Sequence, residues 1–338
     1  MLRLPPFDYY AAPSVEEAVA ALRDHGPDAM VVAGGTDLFP KMKRRQMEPR
    51  LLVGLRGIRD LYGIRRLEAG GYRLGPMATL TQVSLHPELR AAYPGLTHAA
   101  GVVSSPQLRN AGTIGGNLCV DTRCTYYDQS YHWRKAINFC MKKDGEICWV
   151  APGSPRCWAV SSSDTAPVFV ALGARVRLVG PEGERVIPVG ELYGRDGINF
   201  LAGKRPDEII TDILLPPAEG WESVYLKLRR RGSFDFPILG VAVALRRRED
   251  GTVAEARVVL GAVESYPVEV EEAAATLVGH RLEPDVIEAA AKACFKPARP
   301  LDNTDLTLYY RKKMVPVYVA RALRRLAGLT DEAQRRTA

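Results

Sequence analysis

The alternation of apolar and polar positions divides the chain into three stretches of different character. Ala18, Val19 and Leu22 recur at helical spacing behind Ser14 and Glu17, and Gly26 is placed to end the turn. The Ser-x-x-Glu pair is a capping box, so one amphipathic helix is expected here. Met30-Val31-Val32 and Leu51-Leu52-Val53 are short unbroken apolar runs, read as buried strands. Residues 1–57 thus form a small α/β unit. From 58 to 219 the pattern becomes one of short strands broken by glycines, with a hairpin across Gly70-Gly71 and runs at 175–179 and 209–215. A helix capped by Asp164 or Thr165 and ending at Gly173 falls in the same stretch. Residues 220–338 predict strands at 223–228, 238–245 and 256–263. Helices follow over 269–278, 284–293 and 305–327, the last kinked at Pro316. The expected class is α+β in three units, without an internal repeat.

Composition narrows the functional classes. The 338 residues exceed one ordinary domain. With 46% hydrophobic and 25% charged residues, the chain is neither a disordered tail, a collagen-like fibre nor a coiled-coil rod. A net charge of +7 favours acidic partners, but it is too dispersed to indicate nucleic acid. No run approaches the ~18 apolar residues of a membrane span. Met1-Leu2-Arg3-Leu4-Pro5-Pro6 lacks the apolar stretch of a secretory signal, so the expected location is the cytoplasm. Structural disulfides are rare there, and the six cysteines must be buried thiols or metal ligands.

Two glycine-rich loops carry candidate chemistry. Val31-Val32-Ala33-Gly34-Gly35-Thr36-Asp37-Leu38 runs out of a predicted strand. Such a loop lets backbone N–H groups converge on phosphate oxygens without Cβ interference. Gly112-Thr113-Ile114-Gly115-Gly116-Asn117 offers a second set of the same kind. Neither matches G-x-G-x-x-G or a P-loop, and each taken singly also reads as a tight turn.

Read as longer strings, Val31–Leu38 and Gln107–Leu118 resemble the FAD-binding subunit of the molybdenum hydroxylases, the xanthine oxidase and carbon monoxide dehydrogenase family. Ser163-Asp164-Thr165-Ala166-Pro167, Tyr225-Leu226-Lys227 with Arg230, and Tyr310-Arg311 before Arg321-Ala322-Leu323 resemble later motifs in the same order. The resemblance implies a two-part FAD-binding domain of the vanillyl-alcohol-oxidase kind, then a C-terminal domain like that of carbon monoxide dehydrogenase flavoprotein. It implies that Val31, Val32, Ala33, Gly34, Gly35, Thr36, Asp37 and Leu38 wrap the FAD pyrophosphate and ribityl, with Thr113, Ile114, Gly115, Gly116 and Asn117 on the other side. Asp164 would accept hydrogen bonds from the ribityl or adjacent hydroxyls; its alternative is a helix cap alone. Lys227 would lie near the polar edge of the flavin, and Val103 and Ile210 near the isoalloxazine.

The interval from Asn117 to Asp164 is longer than in most of that family, and residues 120–160 hold Cys124, Cys140, Cys148 and Cys157. Four thiolates can bind a [4Fe-4S] cluster or zinc. The absence of paired C-x-x-C knuckles disfavours zinc, and free thiols are the third reading. This insert resembles that of the 4-hydroxybenzoyl-CoA reductase β subunits. That resemblance implies a [4Fe-4S] cluster and an electron path from a ferredoxin-like donor through the cluster and FAD. Partner subunits would carry the molybdenum cofactor and [2Fe-2S] centres, and reductive dehydroxylation would give benzoyl-CoA. The alternatives are a hydroxylase that sends electrons outward, and a zinc-binding docking insert. Cys119 and Cys294 read as buried bystanders. His25, His86, His98, His132 and His280 show no ligand spacing, and no catalytic triad or carboxylate pair is evident. Arg229-Arg230-Arg231 and Arg246-Arg247-Arg248 read as solvated strand ends, while Arg44-Arg45 and Lys142-Lys143 could steer an acidic carrier.

Overall fold

Three sheets follow one another along the chain, and each takes its shape from the patterns above. The computed structural model describes residues 2–329. The first unit contains β1 (Asp8–Ala11), α1 (Val15–His25), β2 (Ala29–Val32), α2 (Leu38–Lys43) and β3 (Leu51–Gly54). Its strands are parallel in the order β1-β3-β2, with Met30 opposite Leu52. Ser14 Oγ accepts from the Glu17 N–H at 3.2 Å, and Gly26 ends α1 at φ +49°. The Glu17 carboxylate, however, takes the Tyr10 hydroxyl, so the expected capping box is half made. The six-residue α2 was not expected from the pattern.

The second unit opens with β4 (Ile64–Arg66) and β5 (Tyr72–Leu74), a hairpin turning where Gly70 and Gly71 both have positive φ. Five short helices then replace the expected broken strands: α3 (Leu80–Leu85), α4 (Pro87–Ala92), α5 (Pro94–Gly101), α6 (Pro106–Ala111) and α7 (Ile114–Leu118). Three of them start on proline, whose fixed φ and missing N–H suit a first turn. Helices this short give too few repeats for their period to register. After α8 (Tyr131–Ala136) and α9 (Ala166–Ala171) come β6 (Arg175–Gly180), β7 (Gly183–Pro188) and β8 (Ile209–Leu215). The sheet order is β4-β5-β8-β6-β7, antiparallel throughout. The cysteine-bearing segment leaves this unit at one place, where Arg123 and Val160 exchange backbone hydrogen bonds of 2.8 and 2.7 Å.

The third unit is an antiparallel sheet, β9 (Trp221–Leu228), β10 (Leu239–Arg247), β11 (Val253–Gly261) and β12 (Val268–Glu269), followed by α10 (Glu271–Leu277), α11 (Pro284–Ala293) and α12 (Leu308–Leu326). Pro316 lies inside α12. Val241, Val243 and Leu245 of β10 join the helical core, whereas Ala242 and Ala244 face the second unit beside Phe169 of α9. Both faces of β10 are covered, which is why it reads as a continuous apolar run.

Candidate functional site

The strand β2 delivers its loop directly against the second glycine segment. A Cβ on Gly34 would collide with the Ala111 carbonyl, and Gly35 sits at φ +69°, so neither position accommodates a larger residue without strain. Among the described residues no protein acceptor takes the N–H groups of Gly34, Gly35 or Thr36. This is the donor set a diphosphate needs.

The second segment behaves differently from the sequence expectation. Its amides are already committed: Ile114 N donates to Ala78 O at 2.8 Å, Gly115 N to Pro76 O at 2.9 Å and Gly116 N to Thr113 Oγ1 at 3.1 Å. It does not offer a second set of convergent donors, because α7 and the 76–78 turn consume them. Its role in the structure is bracing. Buried Asn117 Oδ1 accepts from Ser163 Oγ at 2.9 Å and from Thr165 Oγ1 at 2.7 Å, joining the loop to the start of α9.

Asp164 is not a helix cap. That task falls to Ser163 Oγ, which accepts from Ala166 N at 3.0 Å. The buried Asp164 carboxylate instead accepts from the Tyr225 hydroxyl at 2.8 Å and from Lys227 Nζ at 2.9 Å. Burial pushes its pKa above the ordinary carboxylate range, and Lys227 and Tyr225 reverse this only in part. Lys227 also donates to Val102 O at 3.1 Å, and Arg109 donates to Val103 O at 2.8 Å. Lys227 is thereby tied to the residue before Val103, and Val103 packs against the same apolar cluster that contains Ile210 of β8.

Residues 120–160 fold as irregular chain around one short helix, and all four cysteines are free and buried, between 4% and 8% exposed. Cys124, Cys140 and Cys157 share a small apolar cluster with Tyr127 and Ala159, and Cys148 lies close enough to act on Cys157. Burial pushes the Cys124 thiol up to about 12 and Cys157 up to about 11. As free thiols they stay protonated at neutral pH. Among the described residues no three His, Cys, Asp or Glu side chains converge as a single-ion site. A cubane places its four ligands on four separate irons, so its cysteines surround it rather than meet at a point. Cys119 ends α7, and fully buried Cys294 ends α11 within the C-terminal core.

The insert is fastened to the first unit by charges the sequence did not flag. Lys41 of α2 is fully buried and lies 2.9 Å from Asp121 and 3.4 Å from Asp128. Arg123 pairs with Asp37 and with Asp128, and Gln46 Nε2 donates to Tyr127 O at 2.6 Å. Lys142, expected to steer an acidic carrier, is instead nearly buried and bonded to Asp121 at 2.8 Å. Burial raises the Asp121 carboxyl, but Lys142 and Lys41 overcome this and hold it below the ordinary range. On the other side, Asn303 Nδ2 donates to Trp158 O at 2.6 Å and Arg156 pairs with Glu264 at 3.2 Å. These partners lie far apart in sequence, and no local spacing announces them.

A fold of two FAD-type sheet units and a C-terminal sheet-and-helix unit defines a flavoprotein subunit class. Residues 5–218 match the FAD binding domain in molybdopterin dehydrogenase, and residues 223–326 match the CO dehydrogenase flavoprotein C-terminal domain. The carbon monoxide dehydrogenase medium chain of Afipia carboxidovorans is 31% identical over 320 residues, covering 94% of this chain and 96% of that one. The aldehyde oxidoreductase FAD-binding subunit of Escherichia coli is 31% identical over 315 residues, covering 91% and 95%. The solved structure of reconstituted CO dehydrogenase from Oligotropha carboxidovorans superposes with a TM-score of 0.79 at 30% identity, over 97% of this chain and 100% of that one. The chain belongs to the FAD-binding subunit family of the molybdenum hydroxylases. It is an oxidoreductase subunit and a flavoprotein. No helix among the described residues is long and apolar enough to cross a membrane.

Proposed function

We propose that this chain is the FAD- and [4Fe-4S]-bearing electron-transfer subunit of a cytoplasmic molybdenum enzyme resembling 4-hydroxybenzoyl-CoA reductase. The observation that carries the reading is the grouping of four buried, unpaired cysteines in one insert fastened to the loop after β2 and to α2. Residues 1–57 and 58–219 make the FAD-binding part, the insert spans 120–160, and 220–338 is the C-terminal domain. The protein supplies cofactor binding, orientation and electrostatics rather than side-chain catalysis.

The N–H groups of Gly34, Gly35 and Thr36 would hold the FAD pyrophosphate, with Val31–Ala33, Asp37 and Leu38 shaping the loop and Thr113–Asn117 bracing it from the opposite side. Lys227 would present its ammonium at the polar edge of the flavin, with Asp164 fixing its position and Val103 and Ile210 giving the apolar surroundings of the ring. Cys124, Cys140, Cys148 and Cys157 would hold the cluster, which supplies single-electron exchange beside a cofactor that handles one or two. Partner subunits would carry the molybdenum cofactor and [2Fe-2S] centres, and a ferredoxin-like protein would supply electrons.

Iron and acid-labile sulfide analysis tests the insert: about four of each per chain supports the cluster, and one zinc without iron rejects it. Turnover of 4-hydroxybenzoyl-CoA by the complete complex with reduced ferredoxin tests the direction. The second reading, an oxidative hydroxylase subunit, is favoured by the carbon monoxide dehydrogenase and aldehyde oxidoreductase relatives. It predicts oxidation of a substrate with electrons passed outward, and no turnover in the reductive assay.

A further inference from the structure

Asp37 stands at the N-terminal end of α2, where a carboxylate ordinarily accepts from the first helical N–H groups. It makes no such bond. Its carboxylate is turned outward to Arg123, the residue immediately before Cys124. Arg123 is only 12% exposed, and it donates from its other terminal nitrogen to Asp128 Oδ1 at 3.2 Å. Asp128 in turn accepts the Cys124 backbone N–H on Oδ2, also at 3.2 Å. The guanidinium lies 4.0 Å from the ring centroid of Phe236, in the loop between β9 and β10, and its own backbone closes the base of the insert with Val160. One side chain thus touches the glycine loop, the insert and the C-terminal unit, and the chain of contacts runs Asp37–Arg123–Asp128–Cys124.

We propose that Arg123 is a positioning residue that couples occupancy of the 31–38 loop by FAD to the order of the cysteine insert. The inference rests on the reading that this loop holds the FAD diphosphate; it does not require the cluster. A diphosphate accepted by the loop amides fixes the loop, and with it Asp37. Fixed Asp37 holds the Arg123 guanidinium, which keeps Asp128 on the Cys124 amide. By linkage the effect is reciprocal: an ordered insert raises FAD affinity by the same factor by which FAD orders the insert. Arginine suits this place because its planar fork serves two carboxylates at once while its face lies on an aromatic ring.

The test uses the full-length chain, stripped of FAD and then reconstituted, as wild type, Arg123→Gln, Arg123→Lys, Asp37→Asn and the double variant Asp37→Asn/Arg123→Gln. Hydrogen exchange is followed by mass spectrometry, and FAD affinity by quenching of flavin fluorescence. In wild type, FAD should slow exchange across 124–157 about tenfold, a coupling in the ordinary range for linked sites. Arg123→Gln should abolish that protection and weaken FAD about tenfold, while exchange in β10 stays unchanged and certifies the fold. Arg123→Lys should restore part of both. In the Asp37→Asn background Arg123→Gln should cost less than about twofold, because the partner is already gone. The coupling is overturned if FAD leaves insert exchange unchanged in wild type. It is equally overturned if Arg123→Gln weakens FAD to the same extent in both backgrounds, the mark of a merely structural brace. A wild-type chain that binds FAD but no iron rejects the cluster while leaving these measurements decisive for the coupling.

Discussion

Lys41 and Asp121 form a wholly buried ion pair, 2.9 Å apart, between the helix behind the first glycine loop and the first turn of the cysteine insert. Both side chains are buried, so each depends on the other and on Lys142 and Asp128 to compensate its charge. Removing one member of such a set leaves an uncompensated charge inside the protein. Lys41→Met should therefore destabilise the chain by about 3 kcal/mol. Denaturant unfolding of the variant checks it, and a loss below about 1 kcal/mol would show that Lys142 alone sustains Asp121.

The Asp164–Lys227 pair, buried at both ends, should be costly to break from either side. Lys227→Met strands a buried carboxylate and should cost about 3–5 kcal/mol. Asp164→Asn strands the buried Lys227 ammonium, left with Val102 O as acceptor, and should likewise cost about 3–5 kcal/mol. If Lys227 fronts the flavin, both variants should move the flavin midpoint potential measured by dye titration.

Gly34→Ala should release FAD without unfolding the third unit. The added methyl meets the Ala111 carbonyl, so the two glycine segments must part. Flavin content after gel filtration should fall to a small fraction of wild type, while circular dichroism stays near normal. Full flavin retention would remove the loop from the cofactor site.

Cys148→Ala should cost the visible absorption and iron of the insert but leave FAD bound. Cys148 belongs to the distal part of the insert, whereas the contact with the 31–38 loop passes through Arg123 at its base. Cys294→Ala should spare both, since that thiol is enclosed in the C-terminal core. Loss of flavin with retention of iron in Cys148→Ala would reverse this division.

Acid should loosen the second unit through Glu208. Its side chain is fully covered and lies 2.7 Å from Arg185. Burial raises the carboxyl, but Arg185 and Arg205 outweigh it and leave it below 4.5. The sign follows: a depressed folded value means stability that is complete above 4.5 and is lost as pH falls through the folded value. Glu208→Gln should be less stable than wild type at pH 7, and the gap should narrow as pH falls below 4.5 in a thermal-melting series.

The long apolar runs made much of the architecture legible. β8 was expected at 209–215 and is Ile209–Leu215, and α11 was expected at 284–293 and is Pro284–Ala293. These elements carry enough repeats, or lie between such clear breakers, that local pattern decides them. Helices α3 to α7 leave no periodic mark because five to eight residues hold barely two turns. Packing of α5 on β9, and of α3, α4, α5 and α6 on one another, holds them in place, a cause no local window contains.

The site was legible in a different way. The β2 loop could be picked out because glycine at Gly34 and Gly35 is demanded by backbone approach and by φ, constraints that leave a mark on the sequence. The second glycine segment carries the same mark for another reason, the close packing of Gly115 on Pro76, and its amides turned out to be spent. Lys142 misled because a lysine reads as solvated unless its carboxylate is known, and Asp121 lies twenty-one positions away. Arg123, Lys41 and Asn303 were silent for the same reason.

The paired backbone of Arg123 and Val160 has a last consequence. The cysteine segment enters and leaves through one doorway two residues wide, with both flanks already in register. A shorter turn joining these two residues would close the parent fold without moving a strand. Gain or loss of the whole segment is therefore a single graft, open to a lineage or to an engineer, and the later refinement is confined to the handful of charges that clamp it in place.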